Sequence, residues 1–206
     1  MGIASLPLEM QLILVPTILF ALTFHEYAHA RVAYLLGDYT SYYQNRMNLN
    51  PFNHLDPFGT FALYFLGFGW AKPVPVLMQN LKNPKSDMMM IAMAGPASNM
   101  FLAMVASIIY RLNFYFQFSE EVIFPLEIFI QINIVLAIFN LLPLNPLDGS
   151  RILPLIVKNP RTLYNIEVYG PRVLIGLIIL NLIGIPILST IILTPVSIIF
   201  YLLTGA

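Results

Sequence analysis

The sequence predicts an all-α protein that crosses a membrane several times. Of its 206 residues, 58% are hydrophobic and only 10% are charged, whereas soluble domains carry about 25% charged residues. Long apolar runs recur along the chain, and a helix that spans a bilayer needs about 20 such residues. We therefore expect one membrane domain, residues 1–206, with about four full spans.

The composition also narrows the class of function. Ten Lys and Arg residues balance ten Asp and Glu residues, so a nucleic acid partner is not indicated. The chain has no cysteine, which excludes thiol catalysis, disulfides and cysteine-ligated zinc. His, Asp and Glu remain as possible metal ligands.

The first predicted span, residues 9–36, contains the sequence His25-Glu26-Tyr27-Ala28-His29, an H-E-x-x-H motif. On a helix the two histidines lie one turn apart on the same face. Both can then bind one metal ion, with Glu26 beside them as a general base. An ionisable group at the centre of a spanning helix costs about 2.5–3.5 kcal/mol, so such groups indicate function there.

A re-entrant or interfacial element, which does not cross the membrane, is predicted between the first two spans. Residues 58–70 are apolar but too short to span, and they include three glycines. Residues 72–77, Lys-Pro-Val-Pro-Val-Leu, are expected to be extended because proline disfavours helix. This segment could hold a peptide by strand addition, although a surface connector is the simpler interpretation.

Residues 88–110 and 122–142 are the second and third predicted spans. The second is interrupted by Ala94-Gly95-Pro96-Ala97-Ser98-Asn99, where Pro96 is expected to kink the helix. Asn99 needs a hydrogen-bond partner there, and a packing role is at least as plausible as a catalytic one. After the third span, Pro143 and Pro146 break the helix and present Asp148 on irregular chain.

One more span, residues 173–193, is predicted in the C-terminal part of the chain. Residues 150–169 are more polar and predict a short helix at the membrane interface. Residues 195–203 are too short to cross alone and predict a partial return helix. If residues 58–70 do not cross, nine of the ten basic residues share one side, which the positive-inside rule makes cytoplasmic.

A third ligand would complete the metal site. Catalytic zinc sites use three protein ligands and leave the fourth position open. The remaining histidine is His54, and Asp148 is the carboxylate best placed to reach the same depth. We therefore predict His25, His29 and Asp148 as ligands of one zinc ion per chain, with Glu26 as the base.

Three blocks of the sequence resemble the site-2 proteases, a family of intramembrane zinc metalloproteases. The blocks are His25-Glu26-x-x-His29, Gly95-Pro96-x-x-Asn99, and Asn140-x-x-Pro143 with Leu147-Asp148-Gly149. Two further stretches, His54-Leu-Asp-Pro57 and Gly69-Trp-Ala-Lys-Pro-Val-Pro75, resemble a compact prokaryotic branch without a PDZ or nucleotide-sensing domain.

This resemblance implies a catalytic core at about residues 8–155, with the zinc ligands and the base as above. It implies hydrolysis of peptide bonds in or near transmembrane helices, as in regulated intramembrane proteolysis, by a multi-pass protein of a prokaryotic cell membrane. It also implies Asn140 as a contact to the substrate or the oxyanion. Asn99 and His54 are weaker candidates for such contacts, and a polar loop residue is the simpler interpretation of His54.

Two functions from other classes stay open on the sequence alone. A zinc or proton transporter could use the same ligands, but the spans show no second histidine-rich repeat. A catalytically silent protein that binds membrane helices is the other, but neither a ligand nor the base is replaced.

Overall fold

The computed structural model describes residues 2–205, and its helices follow the apolar runs of the sequence. The helices are α1 (Leu8–Leu35), α2 (Thr40–Tyr43), α3 (Pro51–His54), α4 (Pro57–Leu66), α5 (Pro84–Phe116), α6 (Glu120–Asn140), α7 (Leu153–Ile156), α8 (Pro160–Leu182) and α9 (Ile187–Thr204). Within residues 2–205 the one β interaction is an isolated antiparallel bridge between Leu55 and Ala71. The predicted all-α class is confirmed.

Five helices of the described chain are long and apolar enough to cross a membrane: α1, α5, α6, α8 and α9. The first three correspond to the first three predicted spans, although α5 extends beyond its predicted span at both ends. α5 is one helix that continues through Pro96, and the kink expected there stays a prediction.

A bundle of α1, α5, α6 and α9 forms the core. Small side chains of α5, Ala103 and Ala106, meet branched side chains of α6 and α9, including Ile130, Ile134 and Ile192. Small residues let helices approach closely in a membrane, where van der Waals packing drives association. The close packing of α5 between its neighbours fixes the positions of the side chains described below.

The segment between α1 and α5 runs along α1 for most of its length. Tyr42 packs against Tyr34, near the end of α1. Tyr64 of α4 donates a 2.6 Å hydrogen bond to Gln11 Oε1, near the start of α1. These two contact points lie about 35 Å apart along the helix at 1.5 Å per residue. The chain therefore runs beside α1 from its end towards its start before it turns back, and the re-entrant course stays a prediction.

Residues 68–77 form an extended segment, which includes residues 72–77, where the prolines predict extended chain. Its backbone is held on both edges. Lys72 N–H donates to His54 O (2.8 Å), and Arg46 Nη2 donates to Lys72 O (2.6 Å). On the other edge the Ser41 hydroxyl donates to Pro75 O (2.6 Å). These contacts fix the extended segment relative to α1.

The predicted boundaries of the last span are wrong. Residues 173–193 do not form one helix, because the chain turns at Gly184 and Pro186 between α8 and α9. Gly184 has φ of +92°, a left-handed conformation that glycine adopts readily. Pro186 cannot continue a preceding helix.

The segments on either side of this turn also differ from the prediction. Most of the predicted interfacial helix, residues 150–169, belongs to α7 and the first part of α8. The predicted partial return helix, residues 195–203, lies inside α9, which is long enough to cross.

Arg111 connects the end of α9 to the end of α5. Its Nε donates to Leu203 O (2.6 Å), and its Nη2 donates to Leu202 O (2.8 Å). A cation is favourable at the C-terminus of a helix, where unpaired carbonyls carry partial negative charge. The end of α9 therefore lies at the same end of the bundle as the end of α5.

Candidate active site

His25, His29 and Asp148 converge at one point, although α1 supplies the histidines and the chain after α6 supplies the carboxylate. The two Nε2 atoms are 3.0 Å apart. Asp148 Oδ2 lies 3.1 Å from His25 Nε2 and 3.2 Å from His29 Nε2. Within residues 2–205 this is the group of His, Asp and Glu side chains that could hold a metal ion.

The second ring nitrogen of each histidine is held by an oxygen that accepts a hydrogen bond. His25 Nδ1 donates to Asn99 Oδ1 (2.6 Å), and His29 Nδ1 donates to Ile91 O (2.7 Å). Because carbonyl oxygens only accept, these bonds assign the proton of each neutral ring to Nδ1. Each Nε2 then directs a lone pair at the cluster, which is the form that binds a metal.

The donor set and its dimensions fit zinc. Three acceptor atoms in mutual contact repel unless a cation lies between them. Ligands about 2.0 Å from a tetrahedral zinc ion lie about 3.3 Å from each other, close to the 3.0–3.2 Å separations of this cluster. Two imidazoles and one carboxylate are a known ligand set of catalytic zinc sites.

Two glycines allow the elements to approach closely enough to build the cluster. A Cβ at Gly95 would overlap both imidazole rings, so α5 can pack against the histidine pair only with glycine there. A Cβ at Gly149 would overlap the Leu141 carbonyl, so the chain after Asp148 can fold back onto the end of α6 only with glycine at this position. The glycines of two sequence blocks are therefore explained by packing at the site.

A polar chain behind His25 connects three helices. Asn99 is fully buried. Its Nδ2 donates to Ala21 O (3.1 Å) and to Asn133 Oδ1 (3.0 Å), and Asn133 Nδ2 donates to Phe129 O (2.9 Å). These bonds orient Asn99 so that its Oδ1 faces His25. The sequence suggested Asn99 as a substrate contact, but it does not line the cleft and instead positions a histidine.

Glu26 lies beside the cluster and is 9% exposed. Its Oε2 accepts a 3.1 Å hydrogen bond from the backbone N–H of Val74, in the extended segment. Its Oε1 has no hydrogen-bond partner within residues 2–205. The extended segment therefore passes next to the predicted base, and one carboxylate oxygen stays available for proton transfer.

The cluster opens into a cleft with a volume of about 570 Å³. Side chains from α1, the extended segment, α5, α6, the chain after α6, and α8 line it. Most of the lining is apolar and includes Phe68, Trp70 and Phe139. The polar lining consists of His25, Glu26, His29, Asn140, Asp148 and Arg151. Such a cleft suits an apolar peptide that presents one polar bond to the cluster.

Asn140 and His54 differ in their relation to this cleft. Asn140 lines it, and its Nδ2 donates to Leu136 O (2.9 Å) while its Oδ1 has no partner within residues 2–205. His54 is buried outside the cleft lining, and its Nε2 donates to Asn48 O (2.8 Å). His54 thus holds the loop that supports Lys72, and its proposed oxyanion role has no geometric support.

Sequence reasoning missed two polar residues near the site. Asn133 holds Asn99, and its signal was a lone amide in an apolar helix, which needs a partner. Arg151 lines the cleft, and its position three residues after a predicted metal ligand could have indicated that it lies near the site.

Comparison with known proteins agrees with these observations. Residues 113–183 match the sequence model of peptidase family M50, a range that includes Asp148 but not the histidine pair. The "Putative zinc metalloprotease YwhC" of Bacillus subtilis (strain 168) is 44% identical over 153 residues, which cover 71% of this chain and 70% of that protein. No solved structure matches the chain.

Proposed function

This chain belongs to peptidase family M50, the site-2 proteases, and from that premise we propose which bonds it cuts and which residues do so. It is an intramembrane zinc endopeptidase that hydrolyses peptide bonds in or near transmembrane helices of membrane-protein substrates. The observation that carries this proposal is the convergence of His25, His29 and Asp148 beside Glu26, in an apolar cleft between helices long enough to span a bilayer.

His25, His29 and Asp148 are the residues that would hold the zinc ion. When bound there, zinc polarises the scissile carbonyl and lowers the pKa of water. Glu26 Oε1 accepts a proton from the attacking water and then delivers it to the leaving amine. The Val74 N–H fixes the other oxygen of Glu26, so the carboxylate keeps one orientation through both proton transfers.

The extended segment is suited to hold the substrate chain. Backbone groups of every second residue in a strand point to the same edge, so residues 74 and 76 share the edge that faces Glu26. Val74 O, Val76 N–H and Val76 O have no hydrogen-bond partner within residues 2–205. The prolines, 73 and 75, fall on the other edge, where a missing N–H does not weaken pairing. A substrate strand paired here lies next to the base.

A transmembrane substrate must unwind before it can pair in this way. In a helix each carbonyl is already engaged in a hydrogen bond, so the extended segment replaces helical hydrogen bonds with strand pairing. Residues with low helix propensity near the scissile bond lower the cost of unwinding, by about 1 kcal/mol for each glycine relative to alanine.

The active site lies towards the cytoplasmic side. The distribution of basic residues supports this orientation. If residues 58–70 do not cross, nine of the ten basic residues share one side, and Arg111, which donates to the end of α9, lies on the other. The Bacillus relative supports a prokaryotic cell membrane as the location. The packing of α9 against α5 and α6 supports one domain over residues 1–206, and every proposed site residue lies in the core at about residues 8–155.

The proposal is tested with purified protein in liposomes that contain a single-pass membrane substrate. We expect cleavage at a bond in or near the apolar segment, mapped by mass spectrometry of the products. Removing the metal with a chelator should stop cleavage, and added zinc should restore it. Cleavage that survives complete metal removal, or zinc flux across the liposome without cleavage, would contradict a zinc endopeptidase.

A further inference from the structure

Arg151 occupies an unusual place on the wall of the cleft. Among described residues that line the cleft, it is the only Lys or Arg. It belongs to the 3₁₀ turn Asp148–Ile152. Because a 3₁₀ helix has three residues per turn, side chains three positions apart lie on the same face. Arg151 therefore projects from the same side of the turn as the metal-ligating carboxylate.

Within residues 2–205 no carboxylate is paired with Arg151. The ion pairs found within residues 2–205 join Asp148 to the two histidines, and Glu26 accepts from a backbone N–H. The guanidinium of Arg151 also makes no hydrogen bond in the described part of the chain. Arg46 and Arg111 differ, because both donate to backbone carbonyls. Arg151 is thus an exposed cation with unused donors in a largely apolar cleft.

The chemistry of this position suits a carboxylate. A guanidinium offers donors in a planar fork that binds a carboxylate through two parallel hydrogen bonds. Charge pairs are stronger where water is partly excluded, and Phe139 and Leu147 are among the apolar residues around the cleft. We propose that Arg151 forms a carboxylate-binding subsite next to the metal ligands. This subsite rests on the proposed protease function, because the bound carboxylate belongs to the substrate or the product.

Two carboxylates can reach the subsite. One is the side chain of an Asp or Glu near the scissile bond of the substrate. The other is created by the reaction: water supplies hydroxide to the acyl carbon and a proton to the nitrogen, and the C–N bond breaks. The new carboxylic acid gives its proton to the released amine, and the acyl fragment leaves as a carboxylate. If Arg151 binds a substrate side chain, it selects substrates. If it binds the new carboxylate, it holds the N-terminal product.

The first arm of the test is a charge exchange. A single-pass substrate is made with Asp, Asn or Lys at each position around its mapped cleavage bond, and kcat/KM is measured for wild type, Arg151→Glu and Arg161→Glu. Arg161 is the control, because it is exposed at the start of α8 and does not line the cleft. If Arg151 binds a substrate side chain, the kcat/KM of wild type is about tenfold higher with Asp than with Lys at one position, equivalent to about 1.4 kcal/mol. Arg151→Glu reverses the preference, and Arg161→Glu keeps it.

The second arm needs no turnover and therefore tests the subsite even if no cleavage is found. Peptides that end at the cleavage bond as a free acid or as an amide are titrated into Glu26→Gln protein, with and without Arg151→Glu. If Arg151 binds the product carboxylate, the free-acid peptide binds about tenfold more tightly than the amide, and Arg151→Glu removes this difference.

Equal weakening of all substrates and peptides by Arg151→Glu would overturn the subsite. So would a loss that depends on the content of anionic lipid rather than on the charge of the peptide. Absence of cleavage in wild type, together with acid-selective binding, would contradict the protease function and leave the subsite supported.

Discussion

Asn99 offers a quantitative test of how the bundle holds the proposed metal ligands. Asn99→Ala removes the 2.6 Å bond to His25 Nδ1, and it also removes the bonds to Ala21 O and Asn133 Oδ1. His25 then loses the group that fixes its ring and places the proton on Nδ1. Loss of such a partner weakens metal binding about 10–100-fold, equivalent to about 1.4–2.8 kcal/mol.

The same substitution should also destabilise the metal-free protein. It leaves His25 Nδ1 and Asn133 Oδ1 without their partner in a buried site, and each buried polar group without a partner costs about 1–3 kcal/mol. Zinc affinity is measured by competition with a chromophoric chelator in detergent, and stability by thermal unfolding of the metal-free protein.

Ser107→Ala is the matched control for Asn99→Ala. Ser107 is also buried in α5, but its hydroxyl donates to Met104 O and does not contact the histidines. We expect this variant to lose some stability and to bind zinc with the wild-type affinity. Equal zinc affinity for Asn99→Ala and wild type would refute the positioning role of Asn99.

Three further substitutions probe other parts of the account. Gly95→Ala places a Cβ where both imidazole rings lie, so we expect loss of bound zinc, measured as metal content after gel filtration. Val74→Pro removes the N–H that donates a hydrogen bond to Glu26, so cleavage should fall while zinc content is unchanged. Cleavage at the wild-type rate would refute the role of the extended segment. Burial alone raises the pKa of Asp38, but hydrogen bonds, first among them that from Thr40, outweigh it and lower the pKa. Ionised Asp38 therefore stabilises the fold above pH of about 4, so the stability lost in Asp38→Asn should shrink as the pH falls below that value.

The residues of the H-E-x-x-H motif could be predicted from sequence because their relation is local. Helix geometry alone places His25 and His29 one turn apart. Asp148 could be reached by elimination, since few carboxylates lie near the end of a span. The extended course of residues 72–77 was predictable from their prolines, because proline disfavours helix.

The contacts that complete the site could not be predicted because they join distant parts of the chain. The bond from His25 to Asn99 crosses from α1 to α5, and Asn133 reaches Asn99 from α6. A lone asparagine in an apolar helix predicts that a partner exists but does not identify it. The contact of Val74 with Glu26 likewise depends on where the extended segment lies along α1.

The predicted helix boundaries in the C-terminal part of the chain were wrong for a different reason. Residues on both sides of Gly184 are apolar, so hydropathy does not divide α8 from α9. Gly184 and Pro186 did indicate the turn, because both disfavour a continuous helix. Giving those two residues more weight than the apolar run would have placed the turn correctly.

Zinc content and cleavage, measured on one preparation each of wild type, Glu26→Gln and Asp148→Ala, test the central claim most directly. We expect one zinc per chain in wild type and Glu26→Gln, with cleavage in wild type alone. Asp148→Ala should lose both zinc and cleavage at a chelator concentration that wild type withstands. Cleavage by Glu26→Gln, or full zinc retention by Asp148→Ala, would contradict the assignment of the base or of the third ligand.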